Sequence, residues 1–258
     1  MTHLHAAILG IVEGITEFLP VSSTGHLILA NAFLGHTSEF SKTFDIAIQS
    51  GAMLAVFVVT WREWLKREVW TRVLAGFLPT AVIGFLLYKF VKAYLLTPWV
   101  VVMALALGGL FMLAFEYWKK QTPERVTDVA SIEEISHAQA ATIGVVQALA
   151  VIPGVSRSAA TVLGGMALGL PRSTVVLYSF LLAVPTIGAA TVYDLWKQRE
   201  LLATSNEWGA LAVGMGVSAL VAGLVIRWFL RYIRRHSFIV FACERLIVAG
   251  VAWWVLLR

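Results

Sequence analysis

Long apolar runs, separated by short polar segments, dominate the chain. Six of them are long enough to cross a bilayer as helices: 46–61, 73–88, 98–118, 175–196, 208–230 and 237–257. The stretches 98–115, 175–193 and 208–226 carry no charge at all. Two further apolar stretches are broken. One is 6–36, interrupted at Leu19-Pro20, and the other is 139–170, interrupted at Pro153-Gly154. Each reads as a helix, a break and a second helix. An arm of about 13 residues rises about 20 Å, which passes the middle of a 30 Å hydrocarbon layer without crossing it. The pattern predicts two re-entrant helical hairpins. Their broken backbone must be buried in protein or face water, because lipid cannot satisfy it.

The two broken stretches align at an offset of 134 residues: Ala6, Ala7, Gly10, Val12, Val21 and Ser22 are identical to their partners. The chain therefore divides into a first repeat (1–118), a linker (119–138) and a second repeat (139–258), each repeat with one hairpin and three spans. Three is odd, so the second repeat enters from the opposite side. That is an inverted-topology repeat, a design that places sites at the repeat interface near mid-membrane. The linker, the loops 62–72 and 227–236 and the hairpin end at Arg172 carry 12 Lys and Arg, Arg125 among them. The other side carries 6: Lys42, Lys89, Lys92, Lys197, Arg199 and Arg258. The basic side is expected to be cytoplasmic. Both termini and the mouth of the first hairpin are then external.

Composition agrees with an all-α integral membrane protein. Hydrophobic residues make up 59% and charged residues 14% of 258, with a mean hydropathy of +0.80. A soluble domain of this size could not hide that much apolar surface. The lone Cys243 excludes an internal disulfide and a cysteine-based zinc site. The net charge of +5 is explained by cytoplasmic loops, so no nucleic-acid partner is expected. No cleavable leader is expected either. The first basic residue is Lys42, and Glu13 and Glu17 interrupt the first apolar stretch.

Ionisable groups inside apolar segments cost about 2.5–3.5 kcal/mol each on insertion scales, so each one needs a reason. Glu13 and Glu17 lie four apart on one helical face and lead straight into the first break. Two like charges there call for a divalent cation between them, a shared proton or a nearby Arg. The break continues Ser22-Ser23-Thr24-Gly25-His26, and the second one reads Pro153-Gly154-Val155-Ser156-Arg157-Ser158 and then Thr161. Hydroxyls at a helix start cap it, and the free N–H groups and positive dipole end there suit an anion. Arg157 adds a permanent cation able to grip phosphate with two parallel hydrogen bonds. Ser22, Thr24, Ser156, Ser158 and Thr161 are the expected phosphate ligands. His26, three residues after Ser23, is expected to act as nucleophile, acid or base. The residues leave open whether Ser23, His26 or water attacks. Asp45 and Gln49 are candidates for the external mouth. Glu244 and Arg245 are expected to form a structural pair near the cytoplasmic end of the last span.

The segments Glu13-Gly14-Ile15-Thr16-Glu17-Phe18-Leu19-Pro20-Val21-Ser22-Ser23-Thr24-Gly25-His26 and Pro153-Gly154-Val155-Ser156-Arg157-Ser158-Ala159-Ala160-Thr161 resemble the two signature motifs of the bacterial undecaprenyl-pyrophosphate phosphatases, the bacitracin-resistance type. The resemblance extends through Thr43-Phe44-Asp45, Gln49, Ser179-Phe180-Leu181-Leu182-Ala183-Val184-Pro185 and Ser237-Phe238. One departure is Tyr178, where the family often carries an acid. The resemblance implies an enzyme of the bacterial plasma membrane. It would cut undecaprenyl pyrophosphate to undecaprenyl phosphate and inorganic phosphate, recycling the lipid carrier for cell-wall synthesis. It also implies dependence on Mg²⁺ or Ca²⁺, and an active site of Glu13, Glu17, Ser23, His26 and Arg157, with Glu13 and Glu17 the expected metal ligands. The expected partners are the polyprenyl pyrophosphate and membrane lipids. A homodimer is one expectation for assembly, which the sequence does not decide. A second reading is a transporter or flippase of an anionic prenyl phosphate lipid, since inverted repeats are a transporter design. A type-2 phosphatidic acid phosphatase is excluded, because position 163, where that family needs a histidine, is Leu163.

Overall fold

A computed structural model describes residues 1–36, 38–121 and 131–257, the Lys92 side chain excepted. Arg125, Arg258 and the middle of the linker lie outside the described residues. Within them the chain is all helix and loop. The first half contains α1 (His3–Thr16), α2 (Ser23–Leu34), α3 (Glu39–Val59), α4 (Arg67–Phe90) and α5 (Pro98–Gln121). The second contains α6 (His137–Gln147), α7 (Arg157–Ala167), α8 (Arg172–Lys197), the short α9 (Arg199–Thr204), α10 (Trp208–Tyr232) and α11 (Ile239–Leu256). Among them α3, α4, α5, α8, α10 and α11 are long and apolar enough to cross a membrane.

Observed and expected spans differ mainly at their ends. The first begins at Glu39 rather than 46, because the Ser38 hydroxyl caps the Ser41 N–H and winds a polar first turn onto the apolar segment. The first break spans 17–22, and Gly35 closes α2 in the left-handed region at φ 72°. The second follows a 3₁₀ turn, Ala148–Val151. α9 carries no apolar run and was not expected.

The two halves pack by one scheme. α1 lies along α10 as α6 lies along α4; α3 lies on α10 as α8 lies on α4; α3 meets α8, and α5 meets α11. The crossings depend on glycine. A Cβ at Gly10 would meet the Gly214 carbonyl oxygen at 2.6 Å, and one at Gly144 would run into the Gly76 carbonyl oxygen. Helices approach this closely only where small residues allow it. The breaks repeat too. Ser22 and Ser156, 134 positions apart, both have φ 73°. Non-glycine residues held there cost about 1–3 kcal/mol, and such strain collects at functional sites.

Each end of the bundle is tied by polar contacts. At the linker end, Arg72 donates to the carbonyls of Ile135 (2.7 Å) and Glu133 (3.1 Å), and Lys66 pairs with Glu133 at 2.7 Å. Hydrogen bonds to Glu133 and Glu63 push Lys66 up to about 12, and Lys66 in turn holds Glu133 below the usual carboxylate range. At the same end Glu116, fully buried, accepts from Arg172 (2.8 Å) and from the Phe238 N–H (3.0 Å). At the other end the Met1 amino group pairs with Glu207 at 2.7 Å.

Candidate active site

The two breaks meet. Ser158 Oγ donates to the Leu19 carbonyl at 2.7 Å, joining the second break to the first. Arg245 holds them from the outside. Its guanidinium is completely buried and donates to five carbonyls: Gly154 (2.8 Å), Val155 (3.0 Å), Ala104 (3.0 Å), Pro20 (3.4 Å) and Leu105 (3.4 Å). Backbone that leaves a helix inside a membrane needs such donors, because its carbonyls have no water. Gly108 on α5 makes the room, since a Cβ there would overlap the Arg245 guanidinium. Arg245 therefore directs its donors to the breaks and to α5, and not to the pair with Glu244 that the sequence suggested. It is the brace of both breaks.

Between the breaks lies a cavity of about 140 Å³. Glu17, Ser22, Ser23, Thr24, Gln49, Ser156 and Arg157 supply its polar lining. A hydrogen-bonded chain runs through it. Ser23 Oγ donates to Glu17 Oε2 at 2.5 Å. Glu17 Oε1 accepts from Arg157 Nη2 at 3.1 Å. Arg157 Nη1 donates to the Ser179 carbonyl at 3.0 Å, and the ring of Phe18 lies 5.7 Å from the guanidinium. Arg157 Nε is buried and has no protein partner. It faces no competing acceptor, which leaves a donor for a bound anion. Ser22 makes no side-chain cap at the start of α2, so the first-turn N–H groups there are also open to an anion.

The remaining expected residues fall elsewhere. Glu13 is fully buried one turn before Glu17, and neither carboxylate oxygen has a hydrogen-bond partner. The charges that act on it are those of Glu17, Asp45 and Arg157. An orphaned buried carboxylate beside a second one fits a divalent ion that takes one or two carboxylates and fills its shell with water and phosphate oxygens. Among the described residues no three His, Cys, Asp or Glu side chains converge as a preformed cage. Ser158 and Thr161 do not line the cavity. Ser158 is tied to Leu19, and Thr161 donates to the Arg157 carbonyl (2.8 Å) and contacts Gln147 (3.1 Å). Of the two mouth candidates, Gln49 lines the cavity, while Asp45 accepts from Asn31 at 2.7 Å.

His26 also departs from expectation. It does not pair with Ser23. Its Nδ1 lies 2.8 Å from the Ser22 carbonyl and its Nε2 lies 2.6 Å from Glu244 Oε1. Glu244, read from the sequence as part of a structural pair with Arg245, is thus bound to a residue in the first turn of α2, just after the first break. Ser179 is the other contributor that sequence reasoning passed over. The available signal for all three was their position: charges inside an apolar helix at 244 and 245, and a polar residue beside the apolar run 180–184. Tyr178, the departure from the family pattern, is buried and donates to the Arg72 carbonyl at 2.8 Å.

The family described as bacitracin resistance protein BacA matches residues 6–251. A protein of Sulfurihydrogenibium sp. (strain YO3AOP1) named undecaprenyl-diphosphatase is 44% identical over 256 residues, covering 99% of each chain. Proteins of the same name are 45% identical in Campylobacter jejuni subsp. jejuni serotype O:6 (99% of this chain, 95% of the relative) and 44% identical in Aquifex aeolicus (97% of each). With the match running through both breaks and all six long helices, the chain belongs to the bacitracin resistance protein BacA family.

Proposed function

We propose that the chain hydrolyses undecaprenyl pyrophosphate to undecaprenyl phosphate and inorganic phosphate, with Ser23 as nucleophile. One observation carries the choice: the Ser23 hydroxyl already donates to Glu17, whose other oxygen is held by Arg157. Such a chain is an activated nucleophile with its base oriented by a third group. Ser23 Oγ attacks the terminal phosphorus while its proton passes to Glu17 Oε2. The bond from phosphorus to the bridging oxygen breaks, and undecaprenyl phosphate leaves. Glu17 passes that proton to the departing undecaprenyl phosphate, then takes one from the water that attacks the phosphoserine and returns it to Ser23 Oγ as inorganic phosphate is released. Arg157 and the N–H groups opening α2 face the charge that develops on the phosphoryl oxygens, where positioning and electrostatics supply most of the acceleration.

Glu13 and Glu17 are the groups that would hold Mg²⁺ or Ca²⁺. Such an ion neutralises phosphate charge and orients the pyrophosphate.

The two halves form an inverted repeat whose breaks enter from opposite faces. The 12-to-6 distribution of Lys and Arg supports external termini and a site open to the outside. A reporter active only outside the cytoplasm should work at the C-terminus and fail in the linker; the reverse pattern would invert this topology. Transport of the lipid would need cations and donors, not a carboxylate on a serine hydroxyl. Phosphate release from a prenyl pyrophosphate by pure protein in detergent tests the proposal, and its absence would leave transport as the better reading.

A further inference from the structure

The serine reading leaves His26 outside the proton path, and the contacts of His26 suggest why. Its Nδ1 faces the Ser22 carbonyl at 2.8 Å. A carbonyl only accepts, so Nδ1 carries a proton. Its Nε2 is taken up by Glu244 at 2.6 Å, from a helix 218 residues further along the chain. Both ring nitrogens are engaged. No lone pair is free to take the Ser23 proton or to attack phosphorus.

What the ring does hold is the carbonyl of the strained residue immediately before the nucleophile. Ser22 sits at φ 73°, ψ 95°, a conformation that relaxes unless its surroundings enforce it. The equivalent residue of the second break has restraints of its own. The Ser156 side chain caps the Ala159 N–H, and its carbonyl accepts from Ala160 at 3.0 Å. Ser22 makes no such cap, and its carbonyl meets the His26 N–H at 3.4 Å. The His26 ring supplies the restraint that the first break lacks, and Glu244 fixes the ring.

We infer that Glu244 is a positioning residue: through His26 it clamps the Ser22 carbonyl and so fixes the turn that aims Ser23 Oγ at Glu17. The inference rests on the serine reading and adds to it a residue of the last helix. Glu244 is not among the residues that line the cavity, so it acts through the geometry of its neighbour.

The test is steady-state hydrolysis of a prenyl pyrophosphate in detergent by the full chain. Glu244→Leu should lower kcat by about 10–100-fold, the scale for losing a side chain that orients another, with KM little changed. Glu244→Gln, whose amide still hydrogen-bonds to Nε2, should restore most of that rate. In a His26→Ala background Glu244→Leu should add almost nothing, because residues acting as a unit are non-additive. Should the leucine variant fail to fold, Glu244→Ser carries the same comparisons. Wild-type kcat in Glu244→Leu, a glutamine variant as poor as the leucine, or fully additive losses with His26→Ala would each overturn the inference. A wild-type protein that releases no phosphate refutes the phosphatase reading and this one with it. An active wild type with any of those three results refutes this one alone.

Discussion

Replacing Glu17 by Gln keeps the size of the side chain and removes both of its tasks. Glu17 accepts the Ser23 proton at 2.5 Å and neutralises Arg157 at 3.1 Å, with side-chain exposures of 6% and 10% for the ion pair. A neutral amide cannot take a proton, and losing a positioned base costs about 10²–10⁴-fold, or roughly 3–5.5 kcal/mol of barrier. The second loss appears in stability. Breaking one partner of a buried pair costs about 3–5 kcal/mol, because the other charge is left unpaired. Here the cost should lie toward the lower end. Arg157 keeps its hydrogen bond to the Ser179 carbonyl at 3.0 Å and still feels the charge of Glu13. Glu17→Gln is thus expected to lose at least a hundredfold in kcat and to melt earlier in detergent. The double variant Glu17→Gln/Arg157→Met separates the two effects. With both partners of the ion pair made neutral it should recover much of the thermal stability and none of the turnover. Phosphate release and thermal unfolding, measured on the same preparations, check both. Near-normal turnover in Glu17→Gln would refute the base assignment. A double variant no more stable than the single would refute the ion-pair arithmetic.

Four further outcomes follow from the same contacts. Arg157→Lys keeps the charge but cannot reach Glu17 and Ser179 together while leaving a donor for phosphate, so kcat/KM should fall roughly 10–1000-fold; wild-type kinetics would show that the planar fork is not used. Arg245→Lys offers three donors to five buried carbonyls, leaving at least two unpaired at about 1–3 kcal/mol each, so melting temperature and activity should fall together; an unchanged melting curve would refute the bracing role. Gly144→Ala forces a methyl onto the Gly76 carbonyl and must part α4 from α6, at about 1–3 kcal/mol for an overpacked contact, read as a lower melting temperature; unchanged stability would mean that the crossing yields easily. Chelation by EDTA should stop phosphate release, Mg²⁺ or Ca²⁺ should restore it, and Glu13→Gln should blunt that response; full turnover in EDTA would remove the cation from the mechanism.

Much of the architecture is legible in one dimension because it rests on local properties. Apolar length marks the six long helices, and the interruptions at Leu19-Pro20 and Pro153-Gly154 mark the places where a helix cannot continue. Charged residues in apolar surroundings stand out because each is costly there, which is why Glu13, Glu17 and Arg157 attract notice without any coordinates. Which groups meet is another matter. By spacing alone Glu13 and Glu17 look equivalent, one helical turn apart. Tertiary structure gives Glu17 both Ser23 and Arg157 and leaves both oxygens of Glu13 without a partner. By spacing Ser23 and His26 look like a pair on one helical face. In the fold the strained turn at Ser22 returns Ser23 to Glu17 across the break, and the imidazole turns to Glu244. Ser158 and Thr161 look like phosphate ligands by motif, yet the packing of one break on the other gives their hydroxyls to protein partners. Arg245 looks like an end-of-helix charge until both breaks close around it. Local pattern reports what each residue requires, whether burial, a cap, a counter-charge or an acceptor. Only the return of distant helices to the same point decides who supplies it, because a hydrogen bond needs its partner within about 3 Å and sequence separation sets no such distance.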